Sequence, residues 1–246
     1  MAWPDGYGKR VLAEVDSTNA EAARIAKDLA GPEWILGLKQ TAARGRRGRA
    51  WVNPLGNFSA TLVLRPTETP DVVALRSFVT ALALYDAFEA LTGTSAGLAL
   101  KWPNDVLLNG GKVAGILLEG IGGPGGHLAI GIGINLIAAP DAAQVESGAV
   151  APVSLLAETG KRVSPEMMLA ALAKAYAARE ASFVTYGFAP IRQAWMDRAA
   201  RLGEVVTARL ANHEVTGTFE EVDAQGNLVL KTAKGREEIA AADVFF

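Results

Sequence analysis

The feature that most constrains the fold of this chain is a change in its hydrophobic pattern near Gly203. Before that residue, short apolar segments of strand length alternate with longer segments of helical periodicity, which is typical of a sheet combined with helices. After it, short β-prone segments are separated by polar turns, which is typical of a small closed or half-closed β-barrel. The sequence therefore predicts the α+β (α/β) class, with a larger domain over residues 1–200 and a barrel domain over residues 201–246.

Individual elements can be placed on the same grounds. Ser17 and Thr18 are good helix caps, and together with Asn19 they could also hydrogen-bond the polar head of a ligand. The run 114–118 does not alternate, so we expect a strand buried on both faces. Expected strands cover residues 10–15, 34–41, 58–64, 98–102, 106–108, 113–119, 127–135, 205–210, 214–222, 228–232 and 237–239, and expected helices cover 18–30, 70–91 and 164–183, with a shorter one after Pro190.

The composition excludes several classes of protein. Among 246 residues, 24 Lys and Arg stand against 26 Asp and Glu, so the chain lacks the bulk positive charge of a protein that coats nucleic acid. The absence of cysteine excludes disulfides, thiolate zinc sites, iron–sulfur clusters and a cysteine nucleophile, and it fits a reducing cytoplasm. The N-terminus has no signal-peptide pattern, and the most apolar run, 128–139, is far shorter than the roughly 18 residues of a membrane span.

Four arginines lie within the six residues from Arg44 to Arg49. The glycines between them, Gly45 and Gly48, remove steric obstruction, and guanidinium groups are fork-shaped donors for phosphate or carboxylate oxygens. Trp51 follows and offers a flat face for a base. The segment predicts a loop that wraps a small anionic ligand. A solvated basic loop or a nucleic-acid contact is the alternative, and the acidic balance of charge disfavours extended nucleic-acid binding.

Three further segments combine polar groups with proline or glycine. In 101–105 a cation, an amide and a carboxylate stand together, so Asn104 and Asp105 could serve a ribose or Mg²⁺, although Pro-Asn-Asp is also ordinary turn chemistry. Lys112 leads an apolar strand, so its ammonium is expected at a pocket mouth, or simply in a hairpin turn. The segment 131–135 alternates glycine with isoleucine and permits close approach of a ligand, without forming a dinucleotide-binding fingerprint or a P-loop.

Taken together and in this order, five segments resemble the biotin–protein ligases, or biotin–[acetyl-CoA carboxylase] ligases. They are 16–19 (DSTN), Gln40 followed by 44–49 (RGRRGR), 101–105 (KWPND), 111–119 (GKVAGILLE) and 131–135 (GIGIN). The resemblance covers essentially the whole chain, and the co-occurrence of the five segments is specific where each alone is not. One departure is Ala43, where the loop of the family usually begins with glycine, and its Cβ would restrict the loop hinge.

The resemblance implies a central mixed β-sheet flanked by helices, as in class II synthetases and biotin ligases, with a small C-terminal SH3-like β-barrel. It also implies two reactions. The biotin carboxylate attacks the α-phosphate of ATP, with Mg²⁺, to give biotinyl-5′-AMP and pyrophosphate. A lysine of the biotin carboxyl carrier protein of acetyl-CoA carboxylase then attacks the mixed anhydride and releases AMP. This chemistry needs charge neutralisation and positioning more than a covalent nucleophile, which suits a chain without cysteine.

The resemblance also implies roles for individual residues. Biotin is expected to contact Ser17, Thr18, Asn19, Gln40, Arg44, Gly45, Arg46, Lys112 and Gly115. ATP or the adenylate is expected to contact Arg44, Arg46, Arg47, Arg49, Trp51, Lys101, Asn104, Asp105, Lys112 and Asn135. Arg46, Lys112 and Asp105 are the expected catalytic residues, Asp105 is also the expected Mg²⁺ ligand, and Gly131 and Gly133 are expected to shape the pocket wall.

Three rival functions are lipoate or octanoate transfer on a related fold, a vitamin- or nucleotide-binding sensor without transfer activity, and RNA binding through the arginine loop. The absence of cysteine excludes transferases with a cysteine acyl-enzyme, and Arg46 and Lys112 argue against a pure sensor. Because only 16 residues precede Ser17, no N-terminal DNA-binding domain and no operator binding are expected. The expected partners are the carrier protein, biotin and ATP, without nucleic acid or membrane, in the cytoplasm. A homodimer is left open.

Overall fold

The larger part of the chain builds a seven-stranded sheet. The structure, a computed structural model, describes residues 2–49, 51–123, 125–141 and 149–246, without the side chain of Arg46. The strands are Gly8–Leu12 (β1), Glu33–Gly37 (β2), Phe58–Leu64 (β3), Leu98–Lys101 (β4), Asp105–Leu108 (β5), Gly111–Ile121 (β6) and His127–Ile134 (β7). Their order in space is β1–β2–β3–β7–β6–β5–β4, and β1 and β2 are parallel whereas the other pairs are antiparallel. The expected mixed sheet is confirmed.

Helices cover both faces of this sheet. They are Thr18–Ile25 (α1), Pro70–Ala74 (α2), Arg76–Thr92 (α3), Leu155–Thr159 (α4), Pro165–Tyr186 (α5) and Phe188–Met196 (α6). The side chains of β3 separate the two faces. Phe58, Ala60 and Leu62 belong to the main core with α3 and α5, whereas Val63 packs with Ala22 of α1. Within the described ranges, every helix is too short or too polar to cross a bilayer.

Several element bounds differ from the sequence predictions where the backbone leaves regular geometry. Val15 and Gln40 meet only in an isolated bridge, so the strands expected over 10–15 and 34–41 end before it. The helix expected over 70–91 divides at Leu75 into α2 and α3. The first helix is α-helical only to residue 25 and ends in a 3-10 turn, Ala26–Asp28, rather than running to residue 30.

The residues after Gly203 form a second, five-stranded antiparallel sheet. Its strands are Val205–Arg209 (β8), Glu214–Val222 (β9), Leu228–Thr232 (β10), Gly235–Ile239 (β11) and Asp243–Phe245 (β12), in the order β11–β10–β9–β8–β12. The first four match the segments expected for the barrel. The fifth was not expected, because three residues are too few to show an alternating pattern.

The second sheet is attached at the free edge of the first. The amide of Leu100 in β4 donates to the Arg198 carbonyl at 2.8 Å, and the amide of Ala200 donates to the Leu100 carbonyl at 2.8 Å. The indole nitrogen of Trp102 donates to the Gly226 carbonyl at 3.0 Å. These contacts bring β12 to the rim of the cavity described next.

Candidate active site

A cavity of about 570 Å³ opens on the face of the large sheet that carries α1. All five segments singled out in the sequence contribute to its wall. Predicted site residues in the wall are Ser17, Thr18, Asn19, Gln40, Arg44, Gly45, Arg49, Trp51, Lys101, Asn104, Asp105, Lys112, Gly115, Gly131, Gly133 and Asn135. Arg47 is not part of the wall, and the side chain of Arg46, an expected catalytic group, lies outside the described residues.

The floor of the cavity is the surface of β3, β7 and β6. In the strand register, Gly133 of β7 lies between Ser59 of β3 and Gly115 of β6. Gly115 and Leu117 face the cavity and are half-buried, and Leu118 is half-buried as well, so the expectation that 114–118 is buried on both faces is wrong at three positions, two of them in the cavity. The physical reason is that the second face of this strand forms part of a binding cavity instead of packing against a helix.

Two glycines of β7 are required by close contacts above the floor. A Cβ atom on Gly131 would lie 2.4 Å from Oδ1 of Asn19, and one on Gly133 would lie 2.5 Å from the Trp51 indole. Both distances are too short for any real side chain, so only glycine permits these approaches. The sequence interpretation of the segment 131–135 as a place of close approach agrees with this geometry.

The N-terminal end of α1 forms a polar corner of the cavity. Ser17 caps the helix, its hydroxyl accepting from the Ala20 amide at 3.5 Å. The amide and the hydroxyl of Thr18 both donate to Oε1 of Gln40, at 2.7 and 3.2 Å. Next to this corner, hydrogen bonds from the Arg24 guanidinium and the Ser17 amide hold the pKa of Asp16 well below its usual range. Asp16 therefore stays ionised and fixes the start of the helix.

The opposite part of the cavity holds a carboxylate between two lysines. Asp105 lies 2.7 Å from Nζ of Lys112 and 3.9 Å from Nζ of Lys101, and only 12% of its side chain is exposed. The backbone of Lys112 is fixed as well, since its amide donates to the Ala151 carbonyl at 2.8 Å and its carbonyl accepts from Val153 at 3.0 Å. Two cations and one carboxylate leave a net positive charge here. Such a site suits an anionic ligand.

Two asparagines in the wall differ in what they can offer a ligand. The amide nitrogen of Asn104 donates to the Ile116 carbonyl, which ties β5 to β6. Asn135 is 2% exposed, and its amide nitrogen donates to the Val153 carbonyl at 3.1 Å. Oδ1 of Asn135 is buried with no hydrogen-bond partner among the described residues. Because an unsatisfied buried acceptor is costly, Oδ1 of Asn135 is a natural place for a ligand donor.

The arginine loop is held from two sides. At one end, Arg44 lies 3.5 Å from Glu119 of β6. Further along, Arg47 and Arg49 contact the same carboxylate, Asp243 of β12, at 2.6 and 3.1 Å. The loop turns at Arg47 and Gly48, both of which adopt left-handed backbone conformations. Arg47, expected to contact ATP, thus contacts the small domain instead of lining the cavity.

Trp51 lies inside the cavity, over the glycine floor. Nζ of Lys112 is 5.7 Å from the centre of its ring, within the range of a cation–π interaction. The flat face expected from the sequence is therefore close to the lysine–carboxylate pair.

Sequence reasoning missed several residues of the site. Ser59, Asp243, Val244 and Phe245 line the cavity, and Glu119 holds two of its wall residues. No local pattern marks β12 as part of a site, because only the attachment of the second sheet brings it there. No cluster of three or more His, Asp or Glu side chains that could hold a metal ion occurs in the described part of the chain.

Comparisons with protein families agree on both parts of the chain. The description "Biotin/lipoate A/B protein ligase family" matches residues 11–135, and "Biotin protein ligase C terminal domain" matches residues 202–246. The two matches together cover the cavity segments and the second sheet.

Individual proteins are similar over nearly the whole chain. A biotin–[acetyl-CoA-carboxylase] ligase of Paracoccus denitrificans is 57% identical over 96% of this chain and 99% of that protein. The bifunctional ligase/repressor BirA of Bacillus subtilis is 32% identical over 94% of this chain and 71% of its own length. Among solved structures, the biotin protein ligase of Aquifex aeolicus in complex with biotin and ATP matches with a TM-score of 0.85 and 26% identity, over 96% of this chain and 98% of that one.

Proposed function

This chain belongs to the biotin protein ligase family, and we propose on that premise that it is a biotin–[acetyl-CoA-carboxylase] ligase. The enzyme activates biotin with ATP and transfers it to a lysine of a carboxyl carrier protein. The observation that carries the proposal is one cavity in which hydrogen-bonding side chains, a lysine–carboxylate pair and an arginine loop surround a glycine floor. Its volume lies within the usual range of about 300–1,000 Å³ for small-molecule sites.

The ureido head group of biotin is assigned to the polar corner at the start of α1. A ureido group carries both N–H donors and a carbonyl acceptor, and the hydroxyl and amide groups of Ser17, Thr18 and Gln40 can match both. Apolar wall residues, among them Leu117 and Ile132, suit the hydrocarbon chain of the vitamin. This orientation directs the biotin carboxylate across the glycine floor toward the lysine–carboxylate pair.

In the first step, a biotin carboxylate oxygen forms a bond to the α-phosphorus of ATP. The bond from that phosphorus to the oxygen bridging to the β-phosphate breaks, and pyrophosphate leaves. Two anions must approach each other, so catalysis consists mainly of charge neutralisation and positioning. Lys112, held by Asp105, is assigned to the carboxylate–phosphate junction. Arg44 is assigned to the biotin carboxylate and the phosphate, and Arg49 to phosphate oxygens. The same assignment of Arg46 rests on the family resemblance alone.

In the second step, the amine of the carrier lysine attacks the carbonyl carbon of the mixed anhydride. The bond from this carbon to the phosphate oxygen breaks, AMP leaves with the electron pair, and the amine releases a proton to water. The positive charge of Lys112 and Lys101 then favours the departing phosphate. We assign Asp105 the task of holding both lysines at this point of the cavity.

The adenine base is assigned to Trp51 and Asn135. The indole of Trp51 offers a face for stacking. The buried Oδ1 of Asn135 can accept from the exocyclic amino group of adenine, which would satisfy an acceptor that has no partner among the described residues.

Magnesium is proposed to enter with ATP as part of the nucleotide substrate. Mg²⁺ is commonly held by one or two carboxylates together with substrate phosphates. Asp105 and Asp243 are the carboxylates of the cavity wall that could hold the ion. Both are paired with cations, which compete with a metal, so the ion would take most of its ligands from the phosphates. When bound, the ion would neutralise phosphate charge. The role of Asp105 as a ligand stays a prediction.

Other parts of the sequence interpretation also stay predictions. They are the domain division into 1–200 and 201–246, the absence of nucleic-acid binding, the cytoplasmic location and a homodimer. The requirement for ATP supports the location, and the change from the mixed sheet to the antiparallel sheet supports the division.

The direct test is transfer of labelled biotin to a purified carrier domain with ATP and Mg²⁺. We expect label on the carrier, none when ATP is omitted, and none on a carrier whose acceptor lysine is replaced by arginine. Lipoate in place of biotin is the competing substrate. Absence of label with biotin would contradict the proposal, and efficient transfer of lipoate would select the rival function.

A further inference from the structure

We propose that Glu119 is a positioning residue that links the biotin corner of the cavity to the arginine loop. Glu119 is the last residue of the segment 111–119 and lies near the end of β6. It is not part of the cavity wall, and none of the steps described above uses it. The inference rests on the proposed biotin ligase function for its activity measurements.

The two oxygens of this carboxylate contact two different parts of the site. Oε2 accepts from the amide nitrogen of Asn19 at 2.6 Å, and Oε1 lies 3.5 Å from the guanidinium of Arg44. Both partners line the cavity. Asn19 belongs to α1 and Arg44 begins the arginine loop, so one side chain adds a link between two elements whose backbones already meet where the Ala42 amide donates to the Asp16 carbonyl at 2.8 Å.

The Asn19 side of this link is rigid. Asn19 is 6% exposed and lies against the bare backbone of Gly131, and its Oδ1 accepts from the Thr61 hydroxyl at 2.6 Å. The Thr61 oxygen also lies 2.8 Å from the hydroxyl of Thr18 in the biotin corner. A carboxylate can only accept, so Glu119 fixes the Asn19 amide with its nitrogen toward β6 and its oxygen toward β3.

The Arg44 side of the link is less constrained by packing. About half of the Arg44 side chain is exposed, so its guanidinium has many accessible rotamers without a partner. A carboxylate anchored on Asn19 restricts these rotamers to the ones that place the guanidinium beside the biotin corner. An ion pair of this exposure is weak, so its loss should reduce biotin affinity only about two- to five-fold.

Two substitutions of Glu119 distinguish a positioning role of this side chain from an effect of its negative charge alone. Glu119→Gln keeps an oxygen for Asn19 but loses the negative charge toward Arg44, whereas Glu119→Asp keeps the charge but loses a methylene group of reach. We expect each to raise the KM for biotin about two- to five-fold with kcat nearly unchanged, and Glu119→Gln to keep the melting temperature of the wild type. The matched control is Glu158→Gln, because Glu158 also accepts from an asparagine, Asn109, at 2.8 Å, but outside the cavity.

Two further measurements test the link between Glu119 and Arg44 directly. In an Arg44→Gln background, Glu119→Gln should cause no further loss of biotin affinity by calorimetry, because the link is already broken. In ligand-free enzyme, trypsin should cleave the arginine loop faster in Glu119→Gln than in the wild type or in Glu158→Gln.

Opposite results would overturn the positioning role. One is an unchanged or lower KM for biotin in both Glu119 variants, and another is a wild-type KM for biotin in Glu119→Asp. A third is a further loss of biotin affinity when Glu119→Gln is added to Arg44→Gln, as large as the loss it causes in the wild type. If the wild type transfers no biotin at all, the proposed function fails. The rate of loop cleavage then decides the role of Glu119 independently.

Discussion

Replacing Lys112 with glutamine tests the centre of the proposed chemistry. Its ammonium lies 2.7 Å from Asp105 and 5.7 Å from the ring of Trp51, at the place assigned to the carboxylate–phosphate junction. Glutamine has nearly the same length but no charge. Loss of a charge-assisted contact costs about 1.5–3 kcal/mol, which corresponds to about 10- to 150-fold slower formation of biotinyl-5′-AMP.

The same substitution has a second effect, on stability. Of its two lysine partners, Asp105 would keep Lys101, at 3.9 Å, while 12% of its side chain is exposed. Because Lys112→Gln leaves this mostly buried carboxylate with a weak partner, it should lower the free energy of unfolding by about 1–3 kcal/mol. Adding Asp105→Asn to Lys112→Gln removes the carboxylate's charge, so the double variant should regain stability without regaining rate.

The two effects can be measured separately. Single-turnover reactions with ATP labelled at the α-phosphate follow adenylate formation, and thermal unfolding follows stability. Lys161→Gln, at an exposed lysine outside the cavity, is the control for loss of one positive charge. Wild-type adenylate formation by Lys112→Gln, or recovery of the rate in the double variant, would refute the assignment of Lys112 to the reacting groups.

Three further predictions follow from individual contacts. Gly133→Ala would place a methyl group 2.5 Å from the Trp51 indole, so we expect about tenfold weaker adenylate binding by calorimetry, whereas Gly120→Ala, with open space around its Cβ, should bind normally. Asp243→Asn should release the two arginines that it holds and increase tryptic cleavage of the loop about two- to five-fold, and an unchanged rate would argue against this contact in solution. Burial raises the pKa of Tyr176 well above its usual range, so the unfolded chain loses a proton above about pH 10 that the folded chain keeps. The melting temperature should therefore fall more steeply with rising pH in the wild type than in Tyr176→Phe. The same dependence of the melting temperature on pH in both proteins would contradict this.

Much of the fold could be predicted from local patterns. The strand Phe58–Leu64 has the predicted bounds because Phe58, Ala60, Leu62 and Leu64 alternate with smaller or polar residues. The cap at Ser17 was also predicted, since serine before a helical segment satisfies free amide groups. The division of 70–91 at Leu75 could not be predicted, because the hydrophobic pattern continues across it.

The candidate site was predictable only in part. Motifs marked the residues of the cavity wall, but the roles of Arg47 and Glu119 depend on partners far along the chain. Arg47 contacts Asp243, which is 196 residues away, and Glu119 contacts Asn19, which is 100 residues away. No periodicity or spacing encodes such a pair, since each partner is chosen by the packing of whole elements.

The sequence by itself determined the chemistry that the site can perform. It supplied the arginines, the lysines and the carboxylate of an anion-binding site, the glycines of a floor, and a chain without cysteine, and these follow from residue types and short spacings. The tertiary structure decided which of these groups act together. It turned one face of 114–118 into a cavity floor, placed Asp105 between two lysines, and brought the carboxylate of β12 to the arginine loop. The physical reason is that strand register and the attachment of the second sheet, which are long-range properties, set the distances on which charge interactions depend.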